Sequence, residues 1–338
     1  MKRLVIGVLC VGLCSGCTVR DSSTEDVVEN KTEVITDLTE STLWSPETLK
    51  KGLTTVVEYD KIYNAYVNTE EDAKQAIIDY GIEQRTKYSN PDVENIELQM
   101  EKEFDILAVN LGEIDYQTAT EIYDAFVYMY QTYPQMQGRL TNLTIGNLNM
   151  NYTALTTRKE FIINGEFGKI PFVVKREIVL GAAKFLRRDR LLESCREQVD
   201  YGYWPENANI SSIVVHELGH QLLDIYVAKY YGFEGFYVTE ENEDAYWKYS
   251  SDALKVNQYV VHMLLQKAYG QWLVNNEGSE SEFRASISGY AEGIQLDGGI
   301  SYTETVAEAV TDVYLNGENA AEASKMIVKE LEKGLSGY

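Results

Sequence analysis

Basic residues are scarce in this chain of 338 residues: 30 lysines and arginines stand against 53 aspartates and glutamates, for a formal net charge of −23. A surface this acidic repels phosphate backbones, so the composition argues against a nucleic-acid partner. Proline is also rare, with five residues, whereas apolar residues make up 44% and charged residues 25%. These proportions are close to those of soluble globular proteins and exclude a polytopic membrane protein, a collagen-like repeat and a wholly disordered chain.

Long hydrophobic runs are scarce as well. The segment from Leu4 to Gly16, which follows Lys2 and Arg3, is apolar or small; it is too short to span a bilayer but has the length of a signal-peptide core. Small residues directly before Cys17 resemble the bacterial lipobox, in which the cysteine is acylated. We therefore predict a lipoprotein signal peptide at 1–16 and lipidation of Cys17. An ordinary secretory peptide cleaved at another small residue is the alternative.

Cysteine is the third scarce residue type, with four in the chain. Cleavage at this site removes Cys10 and Cys14, and Cys17 carries lipid, so Cys195 is the one remaining thiol. A disulfide framework within the mature chain is thereby excluded. Cys195 has no histidine near it in the sequence, and we interpret it as a buried small hydrophobic residue.

Beyond the signal peptide, residues 17–57 are interpreted as an acidic tether that holds a folded part away from the bacterial cell membrane, on its extracytoplasmic side. Residues 58–134 form a helical region, either a flank of the catalytic domain or a small separate domain, and residues 135–338 form the catalytic domain. Helical periodicity predicts helices at 70–84, 95–108, 115–133, 209–231, 245–275, 303–315 and 319–331. Short β-type runs lie at 139–148 and 177–185, with a loop or irregular hairpin at 149–172. The pattern predicts an α+β fold, mostly helical with a small mixed sheet.

Histidine is rare too, with three residues, and two of them fall in the sequence His216-Glu217-Leu218-Gly219-His220. Residues four apart lie on one face of a helix, so both imidazoles can reach a single Zn²⁺ ion. Glu217 lies one step around the helix and can contact a water molecule on the metal. Gly219 leaves room for close approach of another backbone. The third histidine, His262, is predicted to be a helix residue near the surface.

A catalytic zinc site usually has three protein ligands and an open position for water. The candidate third ligand is Glu304, with Glu308 on the same helical face and positioned to accept a hydrogen bond from the other ring nitrogen of a ligating histidine. Each has an alternative. Ser301 and Glu304 also fit a helix capping box, and Glu308 also fits a solvated helix face.

His-Glu-Leu-Gly-His followed by Glu304-x-x-Ala-Glu308 resembles the gluzincin metallopeptidases, and more closely the catalytic domain of anthrax lethal factor and its relatives. The resemblance implies a zincin-like fold, one Zn²⁺ per chain held by His216, His220 and Glu304, and Glu217 as general base. It also implies that Tyr290, in the turn Ser288-Gly289-Tyr290-Ala291, supports the oxyanion, with Tyr302 as the alternative phenol. Glu304 follows His220 by 84 residues, a longer gap than is usual in that group, so an insertion must be looped out.

These features predict a membrane-tethered zinc metallopeptidase that acts on a peptide or protein substrate through a zinc-activated water. The strand at 177–185 is expected to form the sheet edge to which an extended peptide adds. The alternative function is an inactive zincin scaffold that serves as a binding protein at the surface.

Overall fold

The computed structural model of the chain describes residues 15–18, 70–88, 90–148, 152–162, 172–233, 235–253, 258–294 and 299–336. Its strands are β1 (Ser15–Thr18), β2 (Ala108–Asn110), β3 (Asn142–Gly146), β4 (Tyr152–Ile162), β5 (Phe172–Gly181) and β6 (Tyr237–Val238). Its helices are α1 (Glu70–Tyr88), α2 (Pro91–Phe104), α3 (Tyr116–Thr132), α4 (Ala182–Phe185), α5 (Arg188–Asp200), α6 (Ile210–Tyr230), α7 (Glu243–Ala253), α8 (Tyr259–Trp272), α9 (Glu280–Ala285), α10 (Tyr302–Asn316) and α11 (Glu322–Ser336).

The strands form one mixed sheet in the order β1-β4-β5-β3-β2, and β6 also pairs with β5. β2, β3 and β5 run parallel, whereas β4, β1 and β6 pair in antiparallel fashion. Most described residues are helical, so the predicted α+β class with a small mixed sheet is confirmed. No described helix is both long and apolar enough to cross a membrane.

The central hairpin differs from the prediction. Residues 149–172 were expected to be a loop or an irregular hairpin, but β4 covers Tyr152–Ile162 and pairs regularly with β5. The run at 177–185 is also wrong in extent, because β5 ends at Gly181 and the short helix α4 follows. β5 lies inside the sheet between β4 and β3, so it cannot be the edge to which a peptide adds. On the other side of β5 from β3 lies β4, the longest strand, and the four-residue strand β1 pairs with the outer side of β4.

The early helices have local start and stop signals. The Asn90 side chain accepts a hydrogen bond from the Asp92 N–H and Pro91 begins α2, so this helix starts four residues earlier than predicted. α2 ends at Phe104 because Asp105 adopts a left-handed backbone conformation, with φ 53°. The predicted helix therefore stops short of 108, and Ala108–Asn110 forms β2 instead. α3 matches its prediction at 115–133, with Asp115 as the N-cap.

The long helix predicted at 245–275 is two helices, α7 and α8. Gln258 has a φ of 43° and interrupts the helical path, since this left-handed conformation cannot continue a right-handed helix. The Asp252 carboxylate accepts hydrogen bonds from the backbone N–H groups of Tyr259 and Val260, which begin α8. α5, which follows β5 and α4, had no counterpart in the sequence prediction, whereas α10 and α11 did.

α6 lies at the centre of the fold, where it packs against α3, α10 and β4. Nearly all of its side chains are buried, and one hydrophobic core extends from Val93 in α2 to Leu335 in α11. Cys195 is buried in this core, in agreement with its interpretation as a small hydrophobic residue. The predicted signal peptide at 1–16 and tether at 17–57 lie outside the described residues except for the four residues of β1.

Candidate metal centre

Two histidines project from the same face of α6. The helix begins with a capping box in which the Asn209 side chain accepts a hydrogen bond from the Ser212 N–H and the Ser212 hydroxyl accepts one from the Asn209 N–H. Two turns on, the rings of His216 and His220 lie with their centroids 4.8 Å apart. Their Nε2 atoms are 3.1 Å from each other. The spacing of four residues thus brings both imidazoles together, as predicted.

Glu304 on α10 completes the cluster. Its Oε2 atom lies 3.3 Å from His216 Nε2 and 3.3 Å from His220 Nε2. α10 can approach this closely because Gly219 faces its backbone: a Cβ atom on Gly219 would lie 3.1 Å from the Cα atom of Ala307. All three side chains are buried and form a group able to hold a metal ion.

The separations between the three donor atoms fit a small tetrahedral cation. For metal–ligand distances of about 2.0–2.1 Å, two ligand atoms of a tetrahedral zinc site lie about 3.3–3.4 Å apart, and the three measured separations are 3.1–3.3 Å. Among the described residues, no group donates a hydrogen bond to Glu304 Oε2. A carboxylate oxygen and two imidazole nitrogens that converge in a buried place can together bind a cation.

Glu308 determines which nitrogen of His216 is available. His216 Nδ1 lies 2.7 Å from Glu308 Oε1, and because a carboxylate only accepts, the proton of that bond sits on Nδ1. In the neutral ring the lone pair is then on Nε2, which faces Glu304. Glu308 is 2% exposed, so the alternative of a solvated helix face is wrong, and the predicted hydrogen bond to a histidine is present.

The capping-box alternative for Glu304 is also wrong. The Ser301 hydroxyl bonds to that of Thr303, and the Glu304 carboxylate turns toward the two imidazoles. Burial opposes ionisation of this carboxyl, but the close imidazoles of His220 and His216 outweigh it and hold the pKa of Glu304 well below its usual value. Glu304 is therefore an anion at neutral pH, as a metal ligand must be.

Glu217 lies beside this cluster with its two oxygens in different surroundings. Oε2 accepts a hydrogen bond of 2.6 Å from the Thr156 hydroxyl on β4. Among the described residues, nothing donates to the buried Oε1 atom. Burial raises the pKa of Glu217 to about 7, against the opposing effects of His216 and the Thr156 hydroxyl. A carboxyl with a pKa near neutrality and one open oxygen can exchange a proton.

The two candidate phenols have different neighbours. The Tyr290 ring lies 5.6 Å from the His216 ring and 5.2 Å from Tyr203, measured between centroids. The Tyr302 ring instead stacks on His262 at 4.5 Å, with the Arg284 guanidinium 5.4 Å from its centre. Tyr290 is thus the phenol whose ring neighbours one of the candidate ligands. His262 lies in α8 and is partly exposed, as the sequence predicted.

Sequence reasoning missed two hydroxyl groups at this site, those of Thr156 and Ser288. Thr156 lies 61 residues before its partner Glu217, in the segment 149–172 for which the sequence predicts a loop or an irregular hairpin. Ser288 donates a hydrogen bond to Glu308, a contact that its place in the turn carrying Tyr290 does not reveal. The composition of the β4 segment, rich in threonine and aromatic residues, was the one available signal of a strand.

Comparison with protein-family models, with curated proteins and with solved structures gave no match to this chain. The site is therefore interpreted from its own geometry: two imidazoles and a carboxylate that can hold a metal ion, with a second carboxyl beside them.

Proposed function

We propose that the protein is a zinc-dependent metalloendopeptidase with a zincin-like fold, similar to the gluzincins and to the catalytic domain of anthrax lethal factor. The observation that carries this proposal is the buried convergence of His216, His220 and Glu304 beside Glu217, whose Oε1 atom receives no hydrogen bond from the described residues. A structural metal site has no need for a carboxyl with an open oxygen next to it, whereas hydrolysis does.

His216, His220 and Glu304 would hold one Zn²⁺ ion per chain, because two imidazoles and a carboxylate are a ligand set typical of catalytic zinc. The bound ion would lower the pKa of a water molecule and polarise the scissile carbonyl. The buried hydrogen bond between His216 Nδ1 and Glu308 keeps the ligand nitrogen deprotonated and oriented.

Glu217 acts as the general base in this proposal. The Thr156 hydroxyl occupies Oε2, so Oε1 is the oxygen that accepts a proton from the attacking water and later returns it to the departing amine. Tyr290 donates a hydrogen bond to the carbonyl oxygen of the scissile bond as negative charge develops there. The substrate is a peptide or protein; the lipid anchor at Cys17 and the extracytoplasmic location remain predictions of the N-terminal sequence.

The test combines metal analysis with cleavage profiling on a peptide library, with and without a chelator. Wild-type protein should bind about one zinc per chain and cleave, and the chelator should abolish cleavage. Glu217→Gln should reduce kcat by at least about 100-fold while zinc content stays unchanged. Glu304→Gln should lower zinc content. Glu318→Gln, which makes the same charge change at an exposed position, is the matched control and should do neither.

The outcomes separate the proposal from its rivals. Near-normal turnover of Glu217→Gln would refute the assignment of the base. Stoichiometric zinc without cleavage of any library peptide would favour the inactive scaffold that binds a partner. Protein that binds no zinc would show that the His-Glu-x-x-His sequence is coincidental.

A further inference from the structure

The hydroxyl group of Ser288 lies at the centre of a buried hydrogen-bond chain behind the metal site. Ser288 is 5% exposed and lies in the turn after α9. Its Oγ atom is 2.8 Å from Glu308 Oε2 and 3.0 Å from the Ala291 backbone nitrogen. Since an amide N–H can only donate, Ser288 accepts from Ala291 and directs its own proton to Glu308.

This bond fixes the second oxygen of Glu308. The first, Oε1, accepts the hydrogen bond from His216 Nδ1 at 2.7 Å. With both oxygens held, the carboxylate plane has one orientation, and so has the imidazole ring that it binds. The chain of hydrogen bonds therefore runs from Ser288 through Glu308 to His216, whose other ring nitrogen faces Glu304.

The same hydroxyl also shapes the turn that carries Tyr290. The Ala291 N–H is held by Ser288, and the Ala291 carbonyl accepts a hydrogen bond of 2.6 Å from the buried Thr305 hydroxyl on α10. The turn is thus fixed to the helix that supplies Glu304 and Glu308. Tyr290 lies inside this turn, with its ring next to that of His216.

We propose that Ser288 is a positioning residue of the metal site: it holds the Glu308 carboxylate in the orientation that presents His216 Nε2 to the ion, and it couples this ligand to the turn of Tyr290. The inference rests on the metal binding in the proposed function and is independent of peptidase activity. Loss of the hydroxyl leaves one buried carboxylate oxygen without its donor and allows Glu308 to rotate.

The test is a Zn²⁺ affinity measured by competition with a chromogenic chelator, at fixed pH and ionic strength. Ser288→Ala should weaken zinc binding by about 10–100-fold, the usual effect of removing a partner that orients a ligand. Ser286→Ala is the matched control, because it removes a serine hydroxyl two residues earlier, on the exposed side of the same turn, whose bond is to the Phe283 carbonyl. It should change the affinity by less than about two-fold.

A double-mutant cycle distinguishes positioning from a general loss of structure. In a Glu308→Ala background the carboxylate is absent, so adding Ser288→Ala should lower the zinc affinity by less than a further factor of about two. Circular dichroism confirms folding of each variant. If Ser288→Ala does not fold, Ser288→Cys preserves the size of the side chain and weakens the donor, and it should still lower the affinity several-fold.

Each result bears on a different claim. Wild-type affinity in both Ser288→Ala and Ser288→Cys would overturn the inference while leaving the proposed zinc site intact. Equal, additive losses in the two backgrounds would also overturn it, because the effect would not pass through Glu308. Absence of zinc binding in the wild-type protein would refute the proposed function and this inference together.

Discussion

The substitution Gly219→Ala should disturb the metal centre and destabilise the protein, although alanine is the better residue for a helix interior. Gly219 lies in α6 where this helix meets α10, and an added Cβ atom would be 3.1 Å from Ala307 Cα and 3.5 Å from Ala307 Cβ. Carbon atoms in favourable contact lie about 3.5–4.0 Å apart, so α10 must move by about 0.4 Å or more. Ala307 lies between Glu304 and Glu308, so this movement carries both carboxylates away from His216.

Two opposing effects decide the size of the change in stability. Alanine is favoured over glycine in a helix interior by about 1 kcal/mol. Overpacking of a buried contact costs about 1–3 kcal/mol, and the upper part of that range applies because the clash is with backbone, which cannot rotate away. We therefore expect Gly219→Ala to lower the free energy of unfolding of the metal-free protein by about 1–2 kcal/mol.

Gly270→Ala is the control for helix propensity. Gly270 lies in α8, and a Cβ atom there would meet no described atom within 4 Å. The free energy of unfolding of Gly270→Ala should therefore be about 1 kcal/mol higher than that of the wild type. Urea denaturation of both metal-free variants measures the difference, and chelator competition should show about ten-fold weaker zinc binding for Gly219→Ala alone. If both substitutions stabilise the protein equally and leave zinc affinity unchanged, the close contact between α6 and α10 does not limit the site.

Two further variants test buried partners around α6. Thr156→Val removes the donor to Glu217 Oε2 and should reduce kcat about 10–100-fold, since a hydrogen bond to a charged group contributes about 1.5–3 kcal/mol. Steady-state kinetics should show an unchanged KM, and metal analysis an unchanged zinc content. An equal loss of kcat in Thr157→Val, a substitution on the opposite face of β4, would contradict the role assigned to Thr156. Asp224→Asn should destabilise the fold by about 3–5 kcal/mol at pH 7 because it leaves the buried Arg176 without its charge partner. Burial alone would raise the pKa of Asp224, but the attraction of Arg176 outweighs this effect and lowers the pKa from its usual value of 3.8. The ion pair therefore stabilises the fold fully above pH 3.8, and this stabilisation is lost as the pH falls through the lower pKa of the folded state. Denaturation curves between pH 3 and pH 7 should show that the difference in unfolding free energy between wild type and Asp224→Asn becomes smaller in acid.

Local signals were sufficient to predict several elements. α3 begins at the Asp115 cap and ends before Pro134, and α10 and α11 are separated at Gly317, which has a φ of 53°. Each of these signals acts through the chain within a few residues, so the sequence displays it directly. The strand β4 was not predicted, because its buried polar residues hide the alternation of apolar and polar residues that identifies a strand.

β4 shows why the pattern was hidden. Arg158 on this strand is 1% exposed and lies directly across from Arg176 on β5. The two arginines are compatible with burial because Asp224 on α6 pairs with both of them. A strand whose buried face carries arginine does not alternate between apolar and polar residues, so periodicity could not identify it.

For the site, the chain itself determined the pair His216 and His220, because a spacing of four residues places two side chains on one helical face wherever that helix packs. It also determined that Glu217 would stand next to them. Only the tertiary structure decided that the Glu304 carboxylate faces those imidazoles and does not cap its helix with Ser301. It also decided that Glu308 binds His216 and that Thr156 and Ser288 hold the acids in place. These contacts join residues 20 to 92 positions apart, and the packing of α10 against Gly219, not any local preference, brings the ligand-bearing helix to the site.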